Sequence, residues 1–247
     1  MQFNEEIILK GLNLANFDLK THQLIDSTND ECKRISSNKD FLVVTADKQT
    51  KGKGRKGKKW HSPEGNISLS IAFADREFDV PISIATGILV KDALTEVFNL
   101  DSIKLKWPND LVFEKKKIGG ILVEKEVFSN YTKAIVGIGI NLELDKKESW
   151  WGDFGDLNGK NLRDKIINKI LVKFEALFSD GLNDWKNLWN QSCIHNDAII
   201  SVARNDEIIK GKYLGINDSG ELLLEKKIGD IISFSSGEVS IKGIYNK

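Results

Sequence analysis

Between residues 48 and 60 the chain reads KQTKGKGRKGKKW; seven of the first twelve positions are Lys or Arg, three are Gly and none is acidic. Cations packed this closely repel one another, and the glycines remove the stiffness that would hold them apart. The segment is therefore expected to be mobile when empty and to order around an anion. Composition alone leaves the anion open: a phosphodiester chain, a small phosphate ligand, or only counter-ions around a solvated loop. Residues 52–57, GKGRKG, match Gly-x-Gly-x-x-Gly. A dinucleotide fold would need an apolar helix directly afterwards, and KKWHSPEGN follows instead.

A second group sits near the middle of the chain. In KWPND, residues 106–110, Pro108 fixes its own dihedral and pushes Trp107 extended, so Asn109 and Asp110 are presented from a stiff corner. An Asn amide both donates and accepts, as reading the edge of an adenine requires, although an ordinary Pro-Asn-Asp turn has the same composition. Lys117 stands seven residues beyond Asp110, before Gly119 and Gly120, which permit close backbone approach. Cys32 and Cys193 are far apart with no CxxC spacing, and with three His in the chain neither a disulfide framework nor a zinc site is suggested. Both read as small structural residues.

These groups need a scaffold, and the apolar periodicity supplies one. Residues 22–26 and 41–46 read as strands flanking a helix that opens at Ser27 and Thr28, where Ser27 with Asp30 matches a capping pattern. Ile67, Leu69, Ile71 and Phe73 alternate on one face of a strand over 67–73. The spacing then predicts a helix over 82–98, with Ile84, Ala85, Ile88, Leu89 and Val97 as its apolar stripe. Strands are expected over 103–107, 110–113, 118–127 and 133–142, the middle two as a hairpin through EKKK. A helix over about 161–178 and another carrying Trp185, Leu188 and Trp189 close this part. From about residue 195 short β segments separated by NDSG and SSG predict a small barrel or sandwich, an appendage of about fifty residues. The fold expected is thus α+β: a mixed sheet with helices on one side in 1–194, and a small β domain in 195–247.

The whole-chain numbers narrow the function. With 247 residues and 40% apolar residues the chain can bury a full core. Its 36 basic residues are balanced by 36 acidic ones, so the positive charge is local, unlike the basic excess usual in a nucleic-acid-binding domain. No uninterrupted apolar run approaches the roughly 18 residues of a membrane span, and the N-terminal stretch lacks a secretory pattern, so a cytoplasmic location with no membrane partner is expected.

Five motifs occur in order: STN at 27–29, Q-x-x-G-K-G-R-x-G-x-x-W at 49–60, KWPNDL at 106–111, KIGGILVE at 117–124 and GIGINL at 137–142. Together they resemble the catalytic domain of the biotin-protein ligases, over about residues 22–190, and the β-rich tail resembles their SH3-like C-terminal domain. The resemblance implies a class II synthetase-like sheet. It also implies the ligase-only class, without an N-terminal DNA-binding domain and with no DNA partner. It implies ATP-dependent activation of biotin as biotinyl-5′-AMP, then transfer to one lysine of a biotin carboxyl carrier protein or domain, with Mg²⁺ arriving on the nucleotide. It leaves homodimerisation open.

By this resemblance Ser27, Thr28 and Gln49 bind the ureido end of biotin, with Asn29 adjoining. Lys53, Gly54 and Arg55 hold the biotin carboxylate and the phosphate as the loop closes. Lys117 is the principal electrostatic catalyst between carboxylate and α-phosphate, with Arg55 beside it. Trp60 lies along the adenine, Asn109 and Asn141 meet its polar edges, and Asp110 is the candidate Mg²⁺ ligand. A charge pair at 4 Å is worth about 4 kcal/mol at an effective dielectric near 20, so two or three fixed cations offset much of the repulsion between two anions. One departure stands out: the family commonly has Arg where Lys53 stands, and Lys lacks the planar bidentate fork. Trp150 and Trp151 are expected to cover the nucleotide, mark an interface, or simply pack at an edge.

Two rivals remain at this point. A lipoate-protein ligase shares the fold and the adenylating chemistry but differs in its basic-loop pattern. A non-enzymatic nucleic-acid-binding module would use the same loop, show a steep salt dependence and consume no ATP.

Overall fold

The computed structural model describes residues 2–76, 78–145, 148–204, 207–236 and 239–242. Its elements in chain order are α1 (Glu5–Ile8), β1 (Phe17–Ile25), α2 (Thr28–Arg34), β2 (Phe41–Gln49), β3 (Ile67–Ala74), α3 (Ile82–Phe98), β4 (Lys104–Lys106), β5 (Asp110–Phe113), β6 (Lys116–Val127), β7 (Thr132–Ile140), α4 (Arg163–Asp180), α5 (Trp185–Ser192), β8 (Ile199–Arg204), β9 (Glu207–Ile216), β10 (Leu222–Lys227), β11 (Asp230–Phe234) and β12 (Val239–Lys242). The first seven strands form one sheet in the order β1-β2-β3-β7-β6-β5-β4, and the last five form another in the order β11-β10-β9-β8-β12. The first sheet is mixed because β1 and β2 run parallel while the remaining neighbours are antiparallel.

Strand alternation decides which side of the large sheet is core. Ile67, Leu69, Ile71 and Phe73 all enter the principal core, together with Ile84, Ala85, Ile88 and Leu89 of α3 and Ile166, Ile170 and Phe174 of α4. Helix α3 ends where Asn99 takes the left-handed conformation, φ 54°, which an Asn tolerates. The opposite face is covered by α2: Cys32 packs there against Leu42, Val44, Ala72 and Ile135. The long helices therefore share one side, and the short α2 occupies the other. Cys32 and Cys193 are both buried thiols; burial pushes Cys32 up to about 12, the condition of an inert packing residue.

The second sheet is more closely joined than an appendage. Ile200, Val202, Tyr213, Ile216, Leu222, Leu224 and Phe234 belong to the same core cluster as the large sheet. Two buried indoles bridge the units, Trp107 Nε1 donating to Gly220 O at 3.0 Å and Trp189 Nε1 to the Tyr213 hydroxyl at 3.0 Å. A sheet of this size buries too little apolar surface to hold itself, so its inner face completes a core begun by its neighbour. No helix among the described residues is long and apolar enough to cross a membrane.

Candidate active site

The glycines of β7 open the floor of the site. In GIGI, Ile138 and Ile140 enter the core, so period-two alternation turns Gly137 and Gly139 to the other face. A Cβ on Gly139 would lie 2.5 Å from Trp60 Cε2, and one on Gly137 would lie 2.4 Å from Asn29 Oδ1. Both positions are held bare because side chains from the N-terminal part of the chain lie against them. A cavity of about 790 Å³ opens above this floor. Ser27, Thr28, Asn29, Gln49, Lys53, Gly54, Arg55, Trp60, Asn109, Asp110, Lys117 and Asn141 all line it.

One end is uncharged and built of hydroxyls and amides. Ser27 caps α2, its side chain accepting from Asp30 N at 3.4 Å, which fixes the turn that carries Thr28 and Asn29. Gln49 Oε1 accepts from the Thr28 backbone N–H at 2.8 Å, and Gln49 Nε2 donates to Ser62 Oγ at 3.3 Å. Ser62 and Ser68 share a 2.5 Å hydrogen bond, and Ser70 Oγ donates to Asn29 Oδ1 at 2.6 Å. Asn29 Nδ2 in turn donates to Glu124 Oε2 at 2.7 Å. Burial acts to raise the Glu124 carboxyl, but hydrogen bonds from Lys33 and Asn29 outweigh it and hold the group below the usual range. Asn29 is thus fully engaged by protein and holds the floor in place. Ser62, Ser68 and Ser70 are buried polar members of this end whose position the motifs did not reveal.

The other end is cationic. Lys117 Nζ pairs with Asp110 Oδ1 at 2.5 Å and lies 5.6 Å from the centre of the Trp60 ring. Arg55 Nη1 donates to Asn109 Oδ1 at 3.2 Å, while Asn109 Nδ2 donates to Ile121 O at 2.7 Å. Burial lowers the Arg55 guanidinium, with Asp110 opposing. Asn141 Nδ2 donates to Gly152 O at 3.0 Å. Trp150 and Trp151 also line the cavity; Lys117 N donates to Trp150 O at 2.9 Å, and the Trp151 ring stacks on His61 at 5.7 Å.

The basic segment is folded into a small hairpin over the cavity. Gly54 N donates to Lys58 O at 2.7 Å and Trp60 N to Gly52 O at 2.9 Å. The turn uses Lys56 and Gly57 at positive φ, 55° and 71°. A Cβ on Gly52 would stand 2.6 Å from Trp60 O, so that position requires glycine. Protein groups take the place expected of an anion: Lys53 Nζ pairs with Asp30 Oδ1 at 2.5 Å, and Arg55 Nη2 donates to Ser236 O. Lys53 lines the cavity, yet its ammonium is held by α2. The motifs also passed over Lys106, a buried member of the wall whose signal was its place at the head of KWPND.

Comparison with known proteins places the chain beside the following relatives. Residues 20–141 match the family described as biotin/lipoate A/B protein ligase, and residues 199–242 match the biotin protein ligase C-terminal domain. The bifunctional ligase/repressor BirA of Salmonella typhimurium is 30% identical over 234 residues, covering 89% of this chain and 72% of that one. The biotin–[acetyl-CoA-carboxylase] ligase of Mycobacterium tuberculosis is 30% identical, with 81% of this chain and 79% of that one covered. Among solved structures, the biotin protein ligase of Aquifex aeolicus in complex with biotin and ATP superposes with a TM-score of 0.73 at 27% identity, over 91% of this chain and 98% of that one.

Proposed function

The chain belongs to the family of biotin–protein ligases, and from that premise we propose that it activates biotin with ATP as biotinyl-5′-AMP and transfers the biotinyl group to a lysine of a biotin carboxyl carrier domain. The observation that carries this reading is the division of one cavity into an uncharged, hydroxyl-rich end around Gln49 and a cationic end around Lys117. A ureido ring suits the first, and a carboxylate approaching an α-phosphate suits the second.

Each residue then has a chemical part. Thr28 and Gln49, with Ser27 at the cap, bind the ureido group, while Asn29 positions the floor through Ser70 and Glu124. Lys117 lies between the biotin carboxylate and the α-phosphate, where a fixed cation counters the charge that grows in the transition state. Arg55, with Lys53 and Gly54, closes the hairpin over the mixed anhydride and keeps water from it. Trp60 offers a ring face to the adenine, and Asn109 and Asn141 exchange their protein partners for its edges.

Among the described residues no cluster of three or more His, Cys, Asp or Glu could cage a metal, and Asp110 is the one carboxylate lining the cavity. That set fits Mg²⁺ carried mainly by phosphate oxygens and water, with Asp110 as its protein ligand; bound there, the ion would neutralise phosphate charge. The test is ATP–pyrophosphate exchange with biotin or lipoate supplied in turn, followed by labelling of a carrier fragment. Exchange driven by biotin and labelling of one carrier lysine is the expected result; exchange driven only by lipoate would replace this reading with the lipoate one.

A further inference from the structure

The hydroxyl-rich end of the cavity has a direction, and one backbone amide sets it. The Thr28 N–H can only donate, so the atom it meets at 2.8 Å is the Gln49 oxygen, and the Gln49 amide is fixed with Oε1 toward Thr28 and Nε2 toward Ser62. The Thr28 hydroxyl donates to the same oxygen at 3.1 Å, which uses both of its lone pairs. Gln49 has nothing left to accept with and one Nε2 proton left to give.

The proton count continues through two serines. Nε2 donates to Ser62 Oγ at 3.3 Å, so Ser62 accepts there and must place its own proton elsewhere. Ser62 is 5% exposed, and the one acceptor its hydroxyl reaches among the described residues is Ser68 Oγ at 2.5 Å. Ser68 then accepts from Ser62, and its proton cannot point back along the same line. Ile67 and Leu69 enter the core, so alternation along β3 turns Ser68 to the cavity, which it lines. With no other acceptor for its hydroxyl among the described residues, Ser68 is left to donate into the cavity. Each link polarises the next, so the last hydroxyl of the chain is a better donor than a lone serine.

We infer that Ser68 determines specificity: its hydroxyl, with the second Nε2 proton of Gln49, donates to the ureido oxygen of biotin. The inference rests on the biotin ligase reading and names the ligand atom that this end of the cavity selects. Two donors suit an uncharged oxygen with two lone pairs, as the ureido carbonyl has. The dithiolane ring of lipoate offers only sulfur, a weak acceptor.

The test is the affinity of the protein for biotin and for 2-thiobiotin, in which sulfur replaces the ureido oxygen, measured by isothermal titration calorimetry without ATP. Ser68→Ala is expected to weaken biotin by about tenfold and 2-thiobiotin by less than about twofold, so the preference between them collapses. At saturating biotin, kcat for pyrophosphate exchange should stay within about twofold of the unaltered protein. Equal loss for both ligands, or loss for neither, overturns the inference, because a disturbed floor would weaken both alike. Should Ser68→Ala not fold, Ser62→Ala carries the test. It cuts the chain behind Ser68 and is expected to weaken biotin about threefold, and unchanged affinity overturns the inference. Failure of the unaltered protein to bind biotin would sink the ligase reading itself.

Discussion

Lys117 and Asn29 stand in the same cavity and do different things, and their partners explain why. Lys117 pairs with an Asp110 that other cations also attract, so its removal leaves that carboxylate compensated. Lys117→Ala is therefore expected to keep the fold while adenylation falls about 10²- to 10³-fold, as when one electrostatic donor is lost from a transition state. Near-normal pyrophosphate exchange in that variant would remove Lys117 from the chemistry. Asn29 is 4% exposed, and both ends of its amide are bonded, to Ser70 and Glu124. Asn29→Leu removes a hydrogen bond from each of Ser70 and Glu124, which keep Thr28 and Lys33 as partners, and is expected to lower unfolding free energy by about 1 kcal/mol, measured by urea denaturation. The STN motif made the pair Thr28 and Asn29 legible but not this difference, because the partners of Asn29 lie 41 and 95 positions along the chain.

Strand β7 shows how an element can carry specificity through what it lacks. Gly139→Ala sets a methyl group against the Trp60 ring and should raise KM for ATP by about tenfold, the equivalent of about 1.4 kcal/mol, with KM for biotin little changed. Gly137→Ala meets Asn29 instead and should act on biotin. Steady-state kinetics on the two variants decide this, and equal effects on both substrates would deny the division of the cavity. The GIGINL motif could be read because two apolar residues alternate with two glycines, a pattern that names both faces of a strand. Helix 82–98 was legible to the residue for the same reason, its apolar period being long and uninterrupted. Helix α1, Glu5–Ile8, gave no such signal; four residues hold too little of a period, and α1 is held by its packing on α4. The hairpin fold of the basic segment was hidden as well, since its anchors, Asp30 and Ser236, lie outside it. If Arg55 seals that hairpin, Arg55→Gly should let the adenylate escape and label bystander lysines; labelling confined to the carrier would refute the seal.

Composition divides the chain near residue 195, yet the core does not. Because the inner face of the second sheet packs into the cluster that holds the first, and Trp107 and Trp189 bridge the two, the units should unfold together. Urea transitions followed by indole fluorescence and by far-ultraviolet circular dichroism are expected to coincide; two separated transitions would mean the second sheet stands alone. The same junction gives the molecule an acid sensitivity. His195 is buried there, and burial first, Lys106 second, lower its pKa to about 3 from the usual 6.5. Below pH 6.5 the unfolded chain takes up a proton that the folded chain refuses until about pH 3. Stability fully present above pH 6.5 is therefore lost as pH falls through that window, by at most about 1.4 kcal/mol per pH unit from this group. His195→Gln removes the titrating group, so between pH 7 and pH 5, above the range where carboxylates dominate, its Tm should fall less steeply than that of the unaltered protein. Parallel slopes would show that His195 can be protonated without opening the junction, and that the two sheets are joined more loosely than their shared core implies.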